Sequence, residues 1–206
     1  MITFYYSPRT SATRIHWALE ELGVPYEKVK LDLQAGDQRK PDYLALNPNA
    51  KVPLIVDDGV PVFESIAILI HLGQCYGQDK GLWPSTGAKV HGQALAWTIW
   101  SAATLGPVMF RYMMNTQDRY PAEARNAKQA ESAKGEVDKL IAMVESRVAE
   151  HPYFLADTFT YVDLAVASAL GFWRMSGHDF STHPHIAKWL DACQSRPAFK
   201  AVMGAT

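Results

Sequence analysis

Cysteine is nearly absent from this 206-residue chain: Cys75 and Cys193 are the only two, far apart and outside any CxxC. Their scarcity excludes a disulfide framework, a cysteine-rich zinc site and a dithiol redox centre, and it suits a reducing cytoplasm. Neither sign of charge is in excess, with 20 Lys and Arg against 21 Asp and Glu. The basic residues are dispersed, so the electrostatic attraction that nucleic-acid binding depends on is missing. Long apolar runs are lacking too. The longest, around Ile66 to Leu72, falls well short of the ~20 residues a membrane-spanning helix needs and reads as a core helix. The chain opens on strand-like residues rather than a basic and then apolar leader, so no signal peptide is expected. His183 and His185 flank Pro184, with no thiol or carboxylate pattern to complete a metal site, and no metal is expected.

What is present is an ordinary globular composition, 48% hydrophobic and 20% charged, long enough for one large domain or two small ones. The first part alternates strand and helix signals. Ile2 to Tyr6 and Tyr26 to Leu31 read as strands. Between them, Thr13 to Leu22 carries apolar residues at helical spacing, with Gly23 as its stop. That order implies a right-handed parallel crossover. Asp42 to Leu46 predicts a short helix ending at Asn47-Pro48, since the residue before a proline avoids helical geometry. Leu54 to Phe63 predicts a hairpin about Asp57-Asp58-Gly59. A helix is expected from Ser65 to about Tyr76.

Gly77 to Gly87 breaks the pattern with glycines, Pro84 and Ser85, and Trp83 is expected to anchor this linker. Helical periodicity then runs from about Ala88 to Met114, Ala122 to Glu150 and Thr160 to Arg174, with two further short helices near Trp189 and Phe199. Leu140, Ile141, Val144 and Val148 form one core-facing stripe. Thr160 and Asp163 have the spacing of a capping box. The expected division is residues 1–77, a linker at 78–87 and an all-helical domain at 88–206. The fold class is α/β plus all-α: a βαβαββα unit of thioredoxin-like topology followed by helices.

The segment Asn47-Pro48-Asn49-Ala50-Lys51-Val52-Pro53-Leu54-Ile55-Val56, with Phe63-Glu64-Ser65 after the hairpin, carries the most chemistry. A proline at the mouth of a strand suits a tight turn in which the cis form costs little. Such a turn would direct Val52 outward and leave its backbone N–H and C=O free to pair with an extended ligand. Ser65, at a helix start, is suited to a carboxylate through its hydroxyl, the unpaired N–H groups and the helix dipole. Glu64 beside it suits an ammonium. Together they describe a clamp for a zwitterionic amino-acid end next to a peptide bond.

These residues resemble the glutathione-binding half of the cytosolic glutathione S-transferases. Phe4-Tyr5-Tyr6-Ser7-Pro8 and the stretch from Phe154 to Asp163 extend the likeness in the right order over nearly the whole chain. The pattern is similar to the bacterial beta-class and theta-like enzymes. The resemblance implies glutathione as co-substrate, an apolar electrophile as its acceptor, a cytoplasmic C2 homodimer and no metal. Val52, Pro53, Glu64 and Ser65 would hold glutathione, with Lys51 on its glycine carboxylate and Gln38 as a further contact at that end.

A free thiol titrates near ~8.5, so such an enzyme must stabilise the thiolate, most simply with a hydroxyl at a helix N-terminus. The loop from Tyr6 to Ala12 offers several. Ser11 occupies the position of the beta-class cysteine, Thr10 that of the delta-class serine, and Tyr6 aligns with the tyrosine of alpha, mu and pi enzymes. The order of preference is Ser11, Thr10, Tyr6. The resemblance gives Arg14 a supporting role in the loop. The missing cysteine disfavours mixed-disulfide chemistry in this loop and favours thiolate addition to an electrophilic carbon. Trp100, Phe110 and Arg111 are expected to line the acceptor pocket, Arg111 as a guide for an anionic co-substrate. The alternatives are a glutathione-dependent disulfide reductase or isomerase, and a non-catalytic glutathione-binding protein.

Overall fold

The computed structural model describes residues 1–155 and 157–204. Ala156, inside the motif from Phe154 to Asp163, and the last two residues of the expected helical domain lie outside them. The chain divides into two compact units: Met1–His91 together with the segment from Gln194 onward, and Gly92–Cys193.

The first unit is built on β1 (Ile2–Tyr6), α1 (Ala12–Leu22), β2 (Tyr26–Lys30), α2 (Pro41–Leu46), β3 (Leu54–Asp57), β4 (Val60–Phe63) and α3 (Ser65–Leu72). The strands form one mixed sheet in the order β2-β1-β3-β4. Strand β2 lies parallel to β1, as a helical crossover requires, whereas β3 and β4 run antiparallel to their neighbours. The β3–β4 turn places Asp58 and Gly59 at φ 47° and 84°, the left-handed pair that a two-residue hairpin favours. Ile15, Leu19 and Leu22 on α1 and Ile68, Leu69 and Leu72 on α3 are buried at helical spacing. A second cluster holds Leu31, Tyr43 and Leu54, with Tyr5, Leu46, Val52 and Phe63 packed against it.

The expected helix to Tyr76 ends at Leu72, and Gly73–Gly77 continues as a wider π turn. Buried Trp83 lies so close to Gly73 that an added Cβ would meet its ring at 2.9 Å. Trp83 thus anchors the segment inside the first unit, where it also meets the edge of His91.

The second unit contains α4 (Val90–Trp100, entering from the first unit), α5 (Gly106–Thr116), α6 (Ala127–Glu150), α7 (Tyr161–Met175) and most of α8 (Pro184–Gln194). The single helix expected to reach Met114 is interrupted by a π turn at Ser101–Leu105, directly before Gly106-Pro107. Pro107 has no N–H to continue the α ladder, so an interruption here has a local cause. Helix α6 starts at Ala127, later than expected, because Asn126 accepts from the Gln129 N–H and caps it there. Its buried stripe is Val137, Ile141, Val144 and Val148, with Leu140 only partly covered.

The capping box at the start of α7 is present as expected. Asp163 is fully buried and accepts from the N–H groups of Phe154 and Thr160, the Thr160 hydroxyl and Trp189 Nε1, at 2.8 to 3.0 Å. One carboxylate thereby fastens α7, α8 and the preceding loop. The last helix, α9 (Pro197–Gly204), belongs to the first unit, where Phe199 meets Trp17 at 4.8 Å and the Arg196 guanidinium forks onto Glu21 through two 2.7 Å bonds.

Candidate functional site

The sheet register gathers three loops at one end of the first unit. Tyr6 ends β1, Leu54 begins β3 opposite Tyr5, and Phe63 ends β4 opposite Leu54. The hydroxyl loop after β1, Val52-Pro53 before β3 and Glu64-Ser65 after β4 therefore share that end. The Val52–Pro53 bond is cis. Each loop also carries a non-glycine residue with positive φ: Arg9 at 56°, Ala50 at 53° and Glu64 at 71°. Backbone strain of this kind costs about 1–3 kcal/mol per residue and tends to collect at functional sites.

In the first loop, the Thr10 hydroxyl donates to the Ser7 carbonyl at 2.7 Å and accepts from the Ala12 N–H at 3.2 Å. Thr10 therefore closes the loop and covers the first orphan donor of α1. Ser11 sits at the N-cap position with helical backbone angles and caps nothing with its side chain. Among the described residues its exposed hydroxyl donates to the Val52 carbonyl alone, over a long 3.4 Å. Tyr6 stacks on Phe4 at 5.3 Å and tilts against His16, which makes it a packing residue of the sheet face. Arg14 lies one turn beyond Ser11, and burial lowers its guanidinium to about 10.

In the second loop, the Lys51 carbonyl is gripped from two sides, by the Tyr43 hydroxyl at 2.5 Å and Asn47 Nδ2 at 2.7 Å. Asn47, almost fully buried, also accepts from the Asn49 N–H. These two anchors fix the turn that presents Val52. Tyr43 lies within α2 and Asn47 caps its end, positions whose residue types alone give no sign of this anchoring. The Val52 side chain packs inward on the Tyr43 cluster, and its carbonyl accepts from the Ser11 hydroxyl at 3.4 Å. Lys51 is exposed and forms no ion pair among the described residues. Gln38 donates to the Leu33 carbonyl at 3.3 Å.

In the third loop, Glu64 is the N-cap of α3 and Ser65 its first helical residue, so Ser65 is not itself the cap. The exposed Glu64 carboxylate makes no capping bond. The first N–H groups of α3 have no acceptor within their own helix. A free carboxylate, a hydroxyl and orphan donors thus stand side by side, as an ammonium and a carboxylate on one carbon would require.

Trp100, Phe110 and Arg111 belong to the second unit. Trp100 packs edge-on against Trp97 at 5.2 Å. Phe110 is half-exposed and meets Tyr120 edge-on. Arg111 pairs with Glu136 at 2.5 Å, so an anionic co-substrate would have to displace that carboxylate.

The first unit thus combines a thioredoxin-like sheet with a cis-proline turn and a hydroxyl loop at one sheet end, and the chain continues into a helical unit. The glutathione S-transferase N-terminal domain matches residues 2–74, and the C-terminal domain of the same family matches residues 102–197. The chain belongs to the glutathione S-transferase family. Glutathione S-transferase GstB of Escherichia coli is 31% identical over 196 residues, covering 94% of this chain and 93% of that one. Disulfide-bond oxidoreductase YfcG of the same organism is 28% identical, covering 96% and 92%. A glutathione transferase from Burkholderia graminis, solved with two glutathione molecules per subunit, superposes with a TM-score of 0.84 at 25% identity, covering 99% of this chain and 88% of that one.

Proposed function

We propose that this protein is a glutathione transferase in which Ser11 stabilises the glutathione thiolate for addition to an electrophilic carbon. The observation that carries the reading is the division of labour at the first turn of α1. Thr10 holds the loop, while Ser11 keeps a hydroxyl engaged only at 3.4 Å. In this reading the Val52 backbone pairs with the cysteinyl part of glutathione. Glu64 and Ser65 take the ammonium and carboxylate of the γ-glutamyl end, and Lys51 the glycine carboxylate. The Ser11 hydroxyl turns from Val52 to the sulfur and the thiol proton leaves to solvent. The thiolate then forms a C–S bond to the electrophilic carbon of an apolar acceptor, and the acceptor's leaving group departs. The protein's contribution is positioning and anion stabilisation. A cytoplasmic C2 homodimer belongs to the same reading.

The test is calorimetry with glutathione, followed by turnover of a halogenated nitroaromatic. Saturable binding and conjugation are expected, and a protein that does neither would end the proposal. A second reading, reduction of small disulfides by bound glutathione, is favoured by the oxidoreductase relative and by the relative that holds two glutathione molecules. Parallel assay of hydroxyethyl disulfide separates the two, since reduction without conjugation selects the second.

A further inference from the structure

Strand β3 and helix α3 both start at the candidate site, and both lead at their far ends to a second cluster that the function above leaves unused. Asp57, the last residue of β3, is 8% exposed and accepts from Tyr76 at 2.8 Å and from His71 Nε2 at 2.7 Å. The other ring nitrogen, His71 Nδ1, stands 3.7 Å from Cys75 Sγ, and Cys75 is exposed. His71 lies on α3, and Cys75 one turn on, in the π segment Gly73–Gly77. Such π turns are uncommon and recur at functional positions.

The carboxylate settles the tautomer. Burial would raise Asp57, but the hydrogen bonds from His71 and Tyr76 outweigh it and hold the carboxyl below its usual range. An ionised Asp57 only accepts, so His71 Nε2 carries the proton and Nδ1 presents its lone pair to the thiol. This is the logic of a nucleophile, a base and an orienting acid, with the two ring nitrogens exchanged. Burial and the Asp57 charge hold the Cys75 thiol above its usual value, so a solitary thiolate is disfavoured. His71 Nδ1, 3.7 Å from the sulfur, is the acceptor placed to take the thiol proton as the sulfur attacks. The terminal amine of Met1, which pairs with Asp58, adds to the lowering of the Asp57 carboxyl. Cys193 is buried and has no part in the cluster.

We propose that Cys75, His71 and Asp57 form a thiol–disulfide exchange site for small organic disulfides, separate from the glutathione site. The thiol proton passes to His71 Nδ1 as the sulfur attacks one sulfur of the disulfide. A bond forms from Cys75 to that sulfur and the original S–S bond breaks. The departing thiolate takes the proton back from the imidazolium, so one thiol and one disulfide are exchanged for another pair with no further oxidant. Exchange needs an exposed sulfur and a proton relay, which these three side chains supply.

The test is stopped-flow reaction of the full-length protein with dithiodipyridine at neutral pH, followed by incubation with glutathione disulfide and peptide mass mapping. One fast thiol is expected, mapped to Cys75, reacting at least about tenfold faster than N-acetylcysteine. His71→Gln, with an unchanged circular dichroism spectrum, should bring that rate down to the model thiol's, and Cys75→Ser should remove the fast phase. A wild-type Cys75 no faster than N-acetylcysteine overturns the proposal without recourse to any variant. So does a rate unaffected by His71→Gln.

Discussion

Glu64 holds φ 71° and ψ 116°, a setting an L residue adopts only when its surroundings impose it. Glycine has no Cβ to clash there. Glu64→Gly should therefore leave the unfolding free energy from urea titration unchanged or raise it, by up to about 1–3 kcal/mol of relieved strain. It should also weaken glutathione binding in calorimetry by about tenfold or more, the loss of one charge-assisted contact. A destabilised variant with full affinity would contradict both parts. The two hydroxyls of the first loop separate in the same way. Ser11→Ala is expected to lower conjugation by about a hundredfold with little change in glutathione affinity. Thr10→Val should lower unfolding free energy by about 1 kcal/mol through the lost cap, with a smaller effect on turnover. Equal losses of rate in the two variants would undo the assignment. The sequence announced these hydroxyls but not their tasks. Which oxygen closes the loop depends on Ser11 entering the helix with helical angles, and neighbouring residue types do not specify that. Positive φ at Arg9, Ala50 and Glu64 has no compositional signature either, because the surrounding structure imposes it.

The elements of the first unit were legible because each carries its own period and its own stop: the apolar spacing of α1 before Gly23, and the two short strands about Asp58-Gly59. The π turn at Gly73–Gly77 was not legible, since its causes are tertiary. Trp83 lies against Gly73, and the side chains of His71 and Tyr76 converge on Asp57. Gly73→Ala should destabilise the protein by about 1–3 kcal/mol in denaturant, because its Cβ would meet the Trp83 ring at 2.9 Å. Trp83→Leu in the same background should recover part of that loss if the clash is the cause. Asp57 couples β3 to α3 with a pH signature. Its carboxyl is depressed in the folded state, so its stabilisation is complete above the unfolded value of about 3.9 and fades as pH falls through the folded one. The difference in unfolding free energy between wild type and Asp57→Asn should accordingly shrink on acidification from about pH 5 to about pH 3. A constant difference would mean that the carboxylate's charge is irrelevant there.

The order of the whole molecule, an α/β unit and then helices, was visible in the change of hydrophobic period near residue 88. The return of the chain was not, because nothing in Pro197 to Gly204 says which unit an amphipathic helix will cover. The structure gives α9 to the first unit, through Phe199 on Trp17 and Arg196 on the buried carboxylate of Glu21. Phe199→Ala should reduce stability by about 3 kcal/mol and increase Trp17 solvent exposure, measurable by fluorescence quenching. An unchanged melting curve would show that α9 is dispensable to that unit. Ribosomal synthesis gives this arrangement a temporal side. Residues 1–91 emerge first, yet their last helix is translated only after all of the second unit, so the first part to be made is the last that can be completed. A nascent chain arrested before Gln194 would hold a finished helical unit and an α/β unit with Trp17 uncovered, and that surface is where a chaperone would first find something to hold.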